Sequence, residues 1–112
     1  MILETGSKVL VAHRRLFPED QARFFIGIVE AYENGIARVT GHSWVCEQIR
    51  GDILRKPDLR TKIVALASGT LIAYLLPEDL DLTKLKILHK HNQATMLTDG
   101  ANFTMDISDR HH

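Results

Sequence analysis

Short runs of apolar and β-branched residues alternate along the chain with clusters of turn-forming residues. The first run covers residues 8–17 (KVLVAHRRLF) and stops before the turn cluster at residues 18–20. Two longer runs, residues 23–33 and 36–45, are joined by Asn34-Gly35. Both central positions of a type I′ turn need a positive φ, which Asn and Gly tolerate. This pattern predicts a β-hairpin with Asn34-Gly35 at its tip.

The middle of the chain predicts a loop followed by a second hairpin. Residues 46–60 are polar and lack a clean period, and Gly51 and Pro57 favour a long loop. Residues 61–67 and 70–76 then form two apolar runs around Ser68-Gly69. Because both runs are apolar on both faces, we expect them to pair with each other and to be buried in the middle of a barrel or between layers.

The last third of the chain leaves two interpretations open at residues 77–91. Pro77 with two acids directly after it would suit the first turn of a helix. The alternation of Leu and Ile with Lys further along instead favours a short turn at 77–82 and a strand near 84–90, which is the interpretation we adopt. A further hairpin is predicted within residues 95–107, with Asp99-Gly100 at its turn.

The faces of the first hairpin follow from its register. With Asn34-Gly35 at the turn, Glu33 pairs with Ile36 and the pairing continues outward. Gly27, in the middle of its strand, predicts a bend or a bulge. The face expected to be the core carries Phe24, Ile26, Ile28, Glu30 and Tyr32 opposite Val45, Ser43, Gly41, Val39 and Ala37. The other face carries Phe25, Gly27, Val29, Ala31 and Glu33 opposite Trp44, His42, Thr40, Arg38 and Ile36.

This second face supplies the candidate binding surface. Aromatic side chains beside Arg and His on a strand surface are typical of a platform on which nucleic-acid bases stack. The alternative is a cross-strand pair of Phe25 and Trp44 that another element covers, since such aromatic pairs commonly stabilise sheets. The candidate surface, with an arginine of the following loop added, consists of Phe25, Arg38, His42, Trp44 and Arg50.

Two segments resemble known sequence patterns of one family. The stretch RFFIGIVEAYENGIARV resembles the second and third strands of Sm-like proteins, in which an apolar strand bends at a Gly and enters a hairpin. The later stretch QIRGDI is similar to the Ile-Arg-Gly element of that family's second motif. The resemblance implies a small five-stranded barrel that assembles into rings and binds RNA. Residue by residue it extends to Gly27, Asn34, Arg50 and Gly51.

Composition bounds the class of protein. The 112 residues suit a single domain spanning 1–112, and 14 basic residues balance 14 acidic ones. A neutral chain argues against bulk binding of nucleic acid. Arg14, Arg38, Arg50 and Arg55 would form a local phosphate-binding patch if the fold brought them together. Cys46 is the only cysteine, and the N-terminus has no secretion signal, so we expect a reduced, cytoplasmic protein without a membrane span.

Candidate catalytic chemistry is sparse. His89 and His91 could point the same way from a strand, but two ligands do not make a structural zinc site, so we interpret them as part of a solvated turn. His42 and Ser43 fall on opposite faces of their strand, which separates a base from a nucleophile. The sequence indicates no enzyme, no cofactor and no metal.

These observations predict an all-β protein, a small and strongly bent β-barrel of Sm-like type with an additional C-terminal β-hairpin. A meander over residues 84–107 would leave exposed strand edges, which favours a homo-oligomer. The first functional hypothesis is a non-enzymatic interaction or assembly module that binds itself or a protein partner. The alternative is an Sm-like RNA-binding ring. The first hypothesis expects Trp44 to be buried, and the second expects it to be exposed.

Overall fold

A computed structural model describes residues 3–14, 22–47, 52–89 and 95–108. This part of the chain is all-β, as predicted, and contains nine strands and one turn of 3₁₀-helix. The strands are β1 (Lys8–His13), β2 (Arg23–Glu33), β3 (Ile36–Cys46), β4 (Ile53–Arg55), β5 (Arg60–Ala65), β6 (Leu71–Leu76), β7 (Lys86–His89), β8 (Thr95–Thr98) and β9 (Thr104–Asp106), and the 3₁₀-helix is Leu82–Lys84.

All nine strands belong to one antiparallel sheet that curls strongly into a half-barrel. The main path through the sheet has the order β6-β1-β2-β3-β4-β7-β8-β9, and β5 pairs with β3 beside this path. Strand β3 therefore has two partners along the same side, β5 over residues 36–41 and β4 over residues 44–46. A strand that exchanges one neighbour for another partway along its length joins two parts of the curled sheet.

The hairpin β2–β3 forms around Asn34-Gly35 as predicted. Both turn residues have a positive φ, 50° at Asn34 and 80° at Gly35. The pairs next to the turn, from Glu33–Ile36 to Ala31–Arg38, have the predicted register. The tip of this hairpin is thus fixed by local sequence, because the two residues that the turn requires are present.

Beyond the tip, the predicted register is wrong. The register shifts between Val29 and Ala31, so that Glu30 is the extra residue of a β-bulge. From there on each residue of β2 has a partner one position removed from the prediction, and Trp44 pairs with Phe24 instead of Phe25. Since a shift of one residue exchanges the two faces of a strand, Phe25 and Trp44 point to opposite faces of the sheet.

The expected bulge at Gly27 is therefore located three residues away, and Gly27 has another role. It pairs directly with Gly41 of β3, and the two backbones approach closely. A Cβ atom on Gly27 would collide with the carbonyl of Thr40 and lie 2.9 Å from the Cα of Gly41. A Cβ on Gly41 would meet the carbonyl of Ile26 and lie 2.5 Å from the Cα of Gly27. Only a pair of glycines fits this close approach.

The second predicted hairpin is wrong. Strand β5 pairs with β3, whereas β6 pairs with β1, so the two strands lie at different places in the sheet although a short turn joins them. Their expected burial is wrong as well, because Ile63 of β5 is 68% exposed and Leu75 of β6 is 61% exposed. The run of apolar residues predicted strands correctly, but pairing depends on which edges the rest of the sheet leaves open.

The remaining elements combine confirmed and corrected predictions. The favoured interpretation of residues 77–91 is confirmed, because one 3₁₀ turn precedes the strand β7. The predicted long loop at 46–60 contains the short strand β4, which joins β3 to β7. Strands β8 and β9 pair antiparallel, and the segment between them spans five residues, 99–103, where Asp99 accepts hydrogen bonds from the backbone of Ala101 and Phe103.

Two separate hydrophobic clusters bury the two faces of the sheet. On each of β1 and β2, three or more consecutive residues are buried, which requires cover on both faces. We call the clusters after their largest members. The Trp44 cluster contains Leu10, Ala12, Phe24, Ile26, Trp44, Ile53, Leu76, Leu80, Leu85, Ile87, Leu97 and Ile107. The Phe25 cluster contains Leu3, Val9, Val11, Phe25, Val29, Ala37, Val39 and Val64.

The described part of the chain has no helix that is both long and apolar enough to cross a membrane.

Candidate functional site

The two aromatic residues of the predicted binding surface are buried in different clusters. Trp44 is 5% exposed and belongs to the Trp44 cluster, and Phe25 is 2% exposed and belongs to the Phe25 cluster. The bulge at Glu30 separates them, because it places the two side chains on opposite faces. The open stacking platform that the sequence suggested is therefore not formed by these two residues.

The polar residues of the predicted surface are also dispersed. Arg38 lies near the hairpin tip, where its Nε is 3.9 Å from a carboxylate oxygen of Glu30. His42 is half-buried and lines a small cavity of about 160 Å³ beside Trp44 and Arg55. Arg50 lies outside the described residues, as do Gly51 and His91. Two members of the predicted patch of four arginines, Arg38 and Arg55, line different grooves.

A first candidate surface is formed at the tip of the β2–β3 hairpin. Here Ile36 is 48% exposed, Ile63 is 68% exposed and Tyr32 is 36% exposed, around a groove of about 440 Å³. Tyr and Arg are enriched at protein interfaces, and exposed apolar side chains release water when they are covered. We call this area the hairpin-tip surface; its lining residues are Ala31, Tyr32, Glu33, Asn34, Ile36, Arg38 and Ile63.

Two strands of the described sheet, β5 and β6, have an unpaired edge, and β5 borders the hairpin-tip surface. Strand β5, which carries Ile63, pairs only with β3, and strand β6, which carries Leu75, pairs only with β1. Within the described residues, no strand covers the outer edge of either one. An open edge presents backbone N–H and C=O groups that can pair with another chain. Both edges can therefore pair with a strand of another molecule.

A second candidate surface is a wide basic groove at the other end of the hairpin. It has a volume of about 640 Å³ and is bordered by β1, β2, β3, β5 and the segment after β4. Four permanent cations line it together with one histidine and one carboxylate. We call it the basic groove; its charged or titratable lining residues, other than the half-buried Cys46, are His13, Arg23, Lys56, Asp58, Arg60 and Lys62.

Strand alternation brings most of these cations to the same face. Arg23 is two residues from Phe25 on β2, and Lys62 is two residues from Arg60 on β5, so each pair shares a face. Lys62 lies over the ring of Phe25, with its Nζ 4.8 Å from the ring centroid. The groove is therefore located at the margin of the Phe25 cluster. Lys56 is brought in by the hydrogen bond that its backbone N–H donates to the carbonyl of Ser43, 2.8 Å away.

The basic groove contains more positive charges than its one carboxylate can neutralise. The carboxylate of Asp58 pairs with the guanidinium of Arg60 at 3.5 Å. Among the described residues, no ion pair joins Arg23, Lys56 or Lys62 to a carboxylate. Burial lowers the pKa of His13, and the positive charges of Lys62 and Arg23 lower it further. The histidine thus experiences a positive potential that other groups in the groove do not neutralise.

Sequence reasoning missed the basic groove although a local signal was present. The segment RKPDLRTK places Lys56, Arg60 and Lys62 at even positions, and a strand there puts Arg60 and Lys62 on one side. Arg23 could not be connected with them, because the pairing of β5 with β3 had not been predicted. The groove is a product of this long-range pairing.

Among the described residues, no group of three or more His, Cys, Asp or Glu side chains comes together in a way that could hold a metal ion.

Comparisons with known proteins give no assignment. No protein-family model, no curated protein and no solved structure matches this chain significantly.

Proposed function

We propose that this protein is a non-enzymatic interaction module that assembles with copies of itself through its open strand edges. One observation carries the proposal: Ile63, 68% exposed, lies on the unpaired edge strand β5 and lines the hairpin-tip surface together with Ile36. Covering these side chains would remove apolar area from water, and pairing the edge would satisfy its backbone groups. The burial of Trp44 also agrees with this function, as the assembly hypothesis expects.

The favoured occupant of the β5 edge is the β6 edge of a second copy. The two strands have the same length, six residues each, and both have one open side. Leu75 on β6 is 61% exposed and would lie beside the exposed residues of β5 in such a contact. A contact between two different edges is heterologous, so it forms a closed ring if the rotation between copies closes and a filament if it does not.

We also propose that the fold is a small barrel of the type found in Sm-like proteins. A curled sheet with the Asn34-Gly35 hairpin supports a small barrel of that type, completed by the C-terminal strands β8 and β9. The RNA-binding alternative through Phe25, Arg38, His42, Trp44 and Arg50 has less support, because its two aromatic residues are buried. The cytoplasmic location remains part of the proposal and is based on the single, unpaired cysteine.

The experiment that tests the assembly is a measurement of native molar mass by light scattering. We expect the native protein to be a defined oligomer, and we expect Ile63→Lys and Leu75→Lys each to dissociate it, because either change puts a charge into the edge contact. Leu54→Lys is the matched control, since Leu54 is 52% exposed but β4 has neighbours on both sides. Substitutions at such exposed positions change folding stability by only about 0.5 kcal/mol, so all three variants should fold.

Two results would contradict the proposal. One is a native protein that stays monomeric over a wide concentration range. The other is an oligomer whose mass both edge variants leave unchanged, since the contact would then lie elsewhere. Following the fluorescence of Trp44 while a short mixed-sequence RNA is added tests the alternative in the same sample. Quenching that is reversed by salt would favour the RNA-binding ring.

A further inference from the structure

The basic groove is separate from the hairpin-tip surface, although β5 contributes Arg60 and Lys62 to the groove and its outer edge to the proposed assembly. Its cations lie at the base of the β2–β3 hairpin, while the hairpin-tip surface lies at the other end, and the two sets of lining residues have no member in common. The chain as a whole is neutral, with 14 basic and 14 acidic residues, so four cations against one carboxylate in a single groove is a local concentration of charge.

We propose that the basic groove binds a compact oligophosphate anion, such as inorganic tripolyphosphate or the phosphate tail of a nucleotide. Two arginines and two lysines line the groove. The planar guanidinium of Arg matches a phosphate with two parallel hydrogen bonds, and Lys contributes a mobile point charge. A ligand with several negative charges can engage these cations together, whereas a single carboxylate cannot.

Contacts within the protein position several cations of the basic groove before any ligand binds. Lys62 is held over the ring of Phe25, which is itself buried, and Lys56 is positioned by the backbone contact of its N–H with Ser43. The neighbouring Arg60 pairs with Asp58 at 3.5 Å. Two of the four cations thus have a side-chain partner, and the backbone next to a third is anchored, which lowers the entropic cost of binding an anion.

The size and the walls of the groove favour a small ligand over a nucleic-acid strand. A volume of about 640 Å³ is within the range of small-molecule sites, about 300–1,000 Å³. The aromatic residues that border the groove, Phe24 and Trp44, are 6% and 5% exposed, so they offer no face on which a base could stack. Recognition is therefore directed at phosphate groups and not at bases.

The lowered pKa of His13 provides an internal reporter. Burial lowers this pKa most, and Lys62 and Arg23, which face the same groove together with the acid Asp58, lower it further. A bound polyanion would offset the positive potential, so the pKa of His13 should rise towards its ordinary value. This readout places the ligand in the groove, which a binding isotherm alone would not do.

The experiment is calorimetric titration of the full chain with inorganic tripolyphosphate at low salt. We expect saturable binding that weakens as salt is added. The double variant Arg23→Gln/Lys56→Gln should lose at least about tenfold in affinity, because two charge-assisted contacts are removed. The control Lys84→Gln/Lys86→Gln removes the same charge from exposed positions outside the groove, and it should bind like the native protein. Denaturation curves check that both variants fold.

Additional titrations distinguish the source of the phosphate. Binding of ATP as well as tripolyphosphate, with none of adenosine, supports recognition of the phosphate tail whatever carries it. Binding of tripolyphosphate alone points to a free oligophosphate. The absence of binding, or an equal loss in both double variants, would overturn the proposal, and so would an RNA oligonucleotide that binds while tripolyphosphate does not. Molar mass recorded for the same samples separates these results from those of the assembly test.

Discussion

The Trp44 cluster and the Phe25 cluster lie on opposite faces of one hairpin but are closed in different ways. The Trp44 cluster is covered by later parts of the chain, including β7, β8 and the segment around Leu80. The Phe25 cluster is smaller, and its margin opens onto the basic groove through Lys62. Two neighbouring aromatic residues on adjacent strands therefore have different roles. One holds the fold together, and the other supports a charged surface.

The largest expected effect comes from breaking the Trp44 cluster. Trp44→Ala should lower the free energy of unfolding by about 3–5 kcal/mol, because it leaves a cavity among buried side chains. Urea denaturation followed by circular dichroism measures this change. Leu54→Ala is the control, since Leu54 on the adjacent strand β4 is 52% exposed and should cost far less. A Trp44→Ala variant as stable as that control would mean that Trp44 is not a core residue.

An intermediate effect is expected at the Gly27–Gly41 pair, where the backbones of β2 and β3 approach closely. Gly41→Ala should destabilise the protein by about 1–3 kcal/mol, because the added methyl group would collide with the backbone of Ile26. Thermal denaturation measures the loss. Gly69→Ala is the matched control, since nothing lies within 4 Å of the Cβ that it would add. If the two variants were equally stable, the close approach of β2 and β3 would be disproved.

The smallest expected effect is the pH dependence of stability that comes from His13, which lines the basic groove at the margin of the Phe25 cluster. The pKa of His13 is lowered from its ordinary value of 6.5 by burial, Lys62 and Arg23. Above pH 6.5 His13 is neutral in the folded and the unfolded chain, so it adds no pH dependence. Below that value the unfolded chain takes up the proton first, so the stability decreases as the pH falls towards the folded pKa. The change is small because the side chain is largely exposed.

The measurement is the free energy of unfolding between pH 5 and pH 7.5, at about half-unit intervals. His13→Gln should flatten the decrease below pH 6.5 that the native protein shows. The acids Asp81 and Asp99 do not interfere, because hydrogen bonds lower their pKa values from an ordinary 3.8. An unchanged slope in the variant would show that His13 does not experience the positive potential of the basic groove.

The sequence predicted the strands of this fold more reliably than it predicted their pairing and register. The strands β2 and β3 and the turn at Asn34-Gly35 follow from residues that are adjacent in the chain. The bulge at Glu30 does not, because nothing in the residue itself requires it. In the structure its carboxylate accepts a hydrogen bond from Thr40 and pairs with Arg38, both on the opposing strand. These contacts exist only once the strands have met, so the predicted register failed at this point.

The candidate sites depended even more on long-range pairing. Of the predicted surface residues, Arg38 lines the hairpin-tip surface, and its position near the turn followed from local register. The residues that share that surface with it include Ile63, which is brought there by the pairing of β5 with β3. The same pairing brings Arg60 and Lys62 to the basic groove. Neither surface could be assembled from one hairpin alone.

The sequence by itself determined the all-β class, the limits of the long strands and the Asn34-Gly35 hairpin, because these depend on propensities and turn geometry within a few residues. Tertiary structure alone decided that Trp44 and Phe25 point to opposite faces, that β5 and β6 separate, and that four cations converge. Each of these outcomes depends on which strands pair and in which register. A single bulged residue changes that register, and the free energy that selects it comes from burying both faces of the sheet at once.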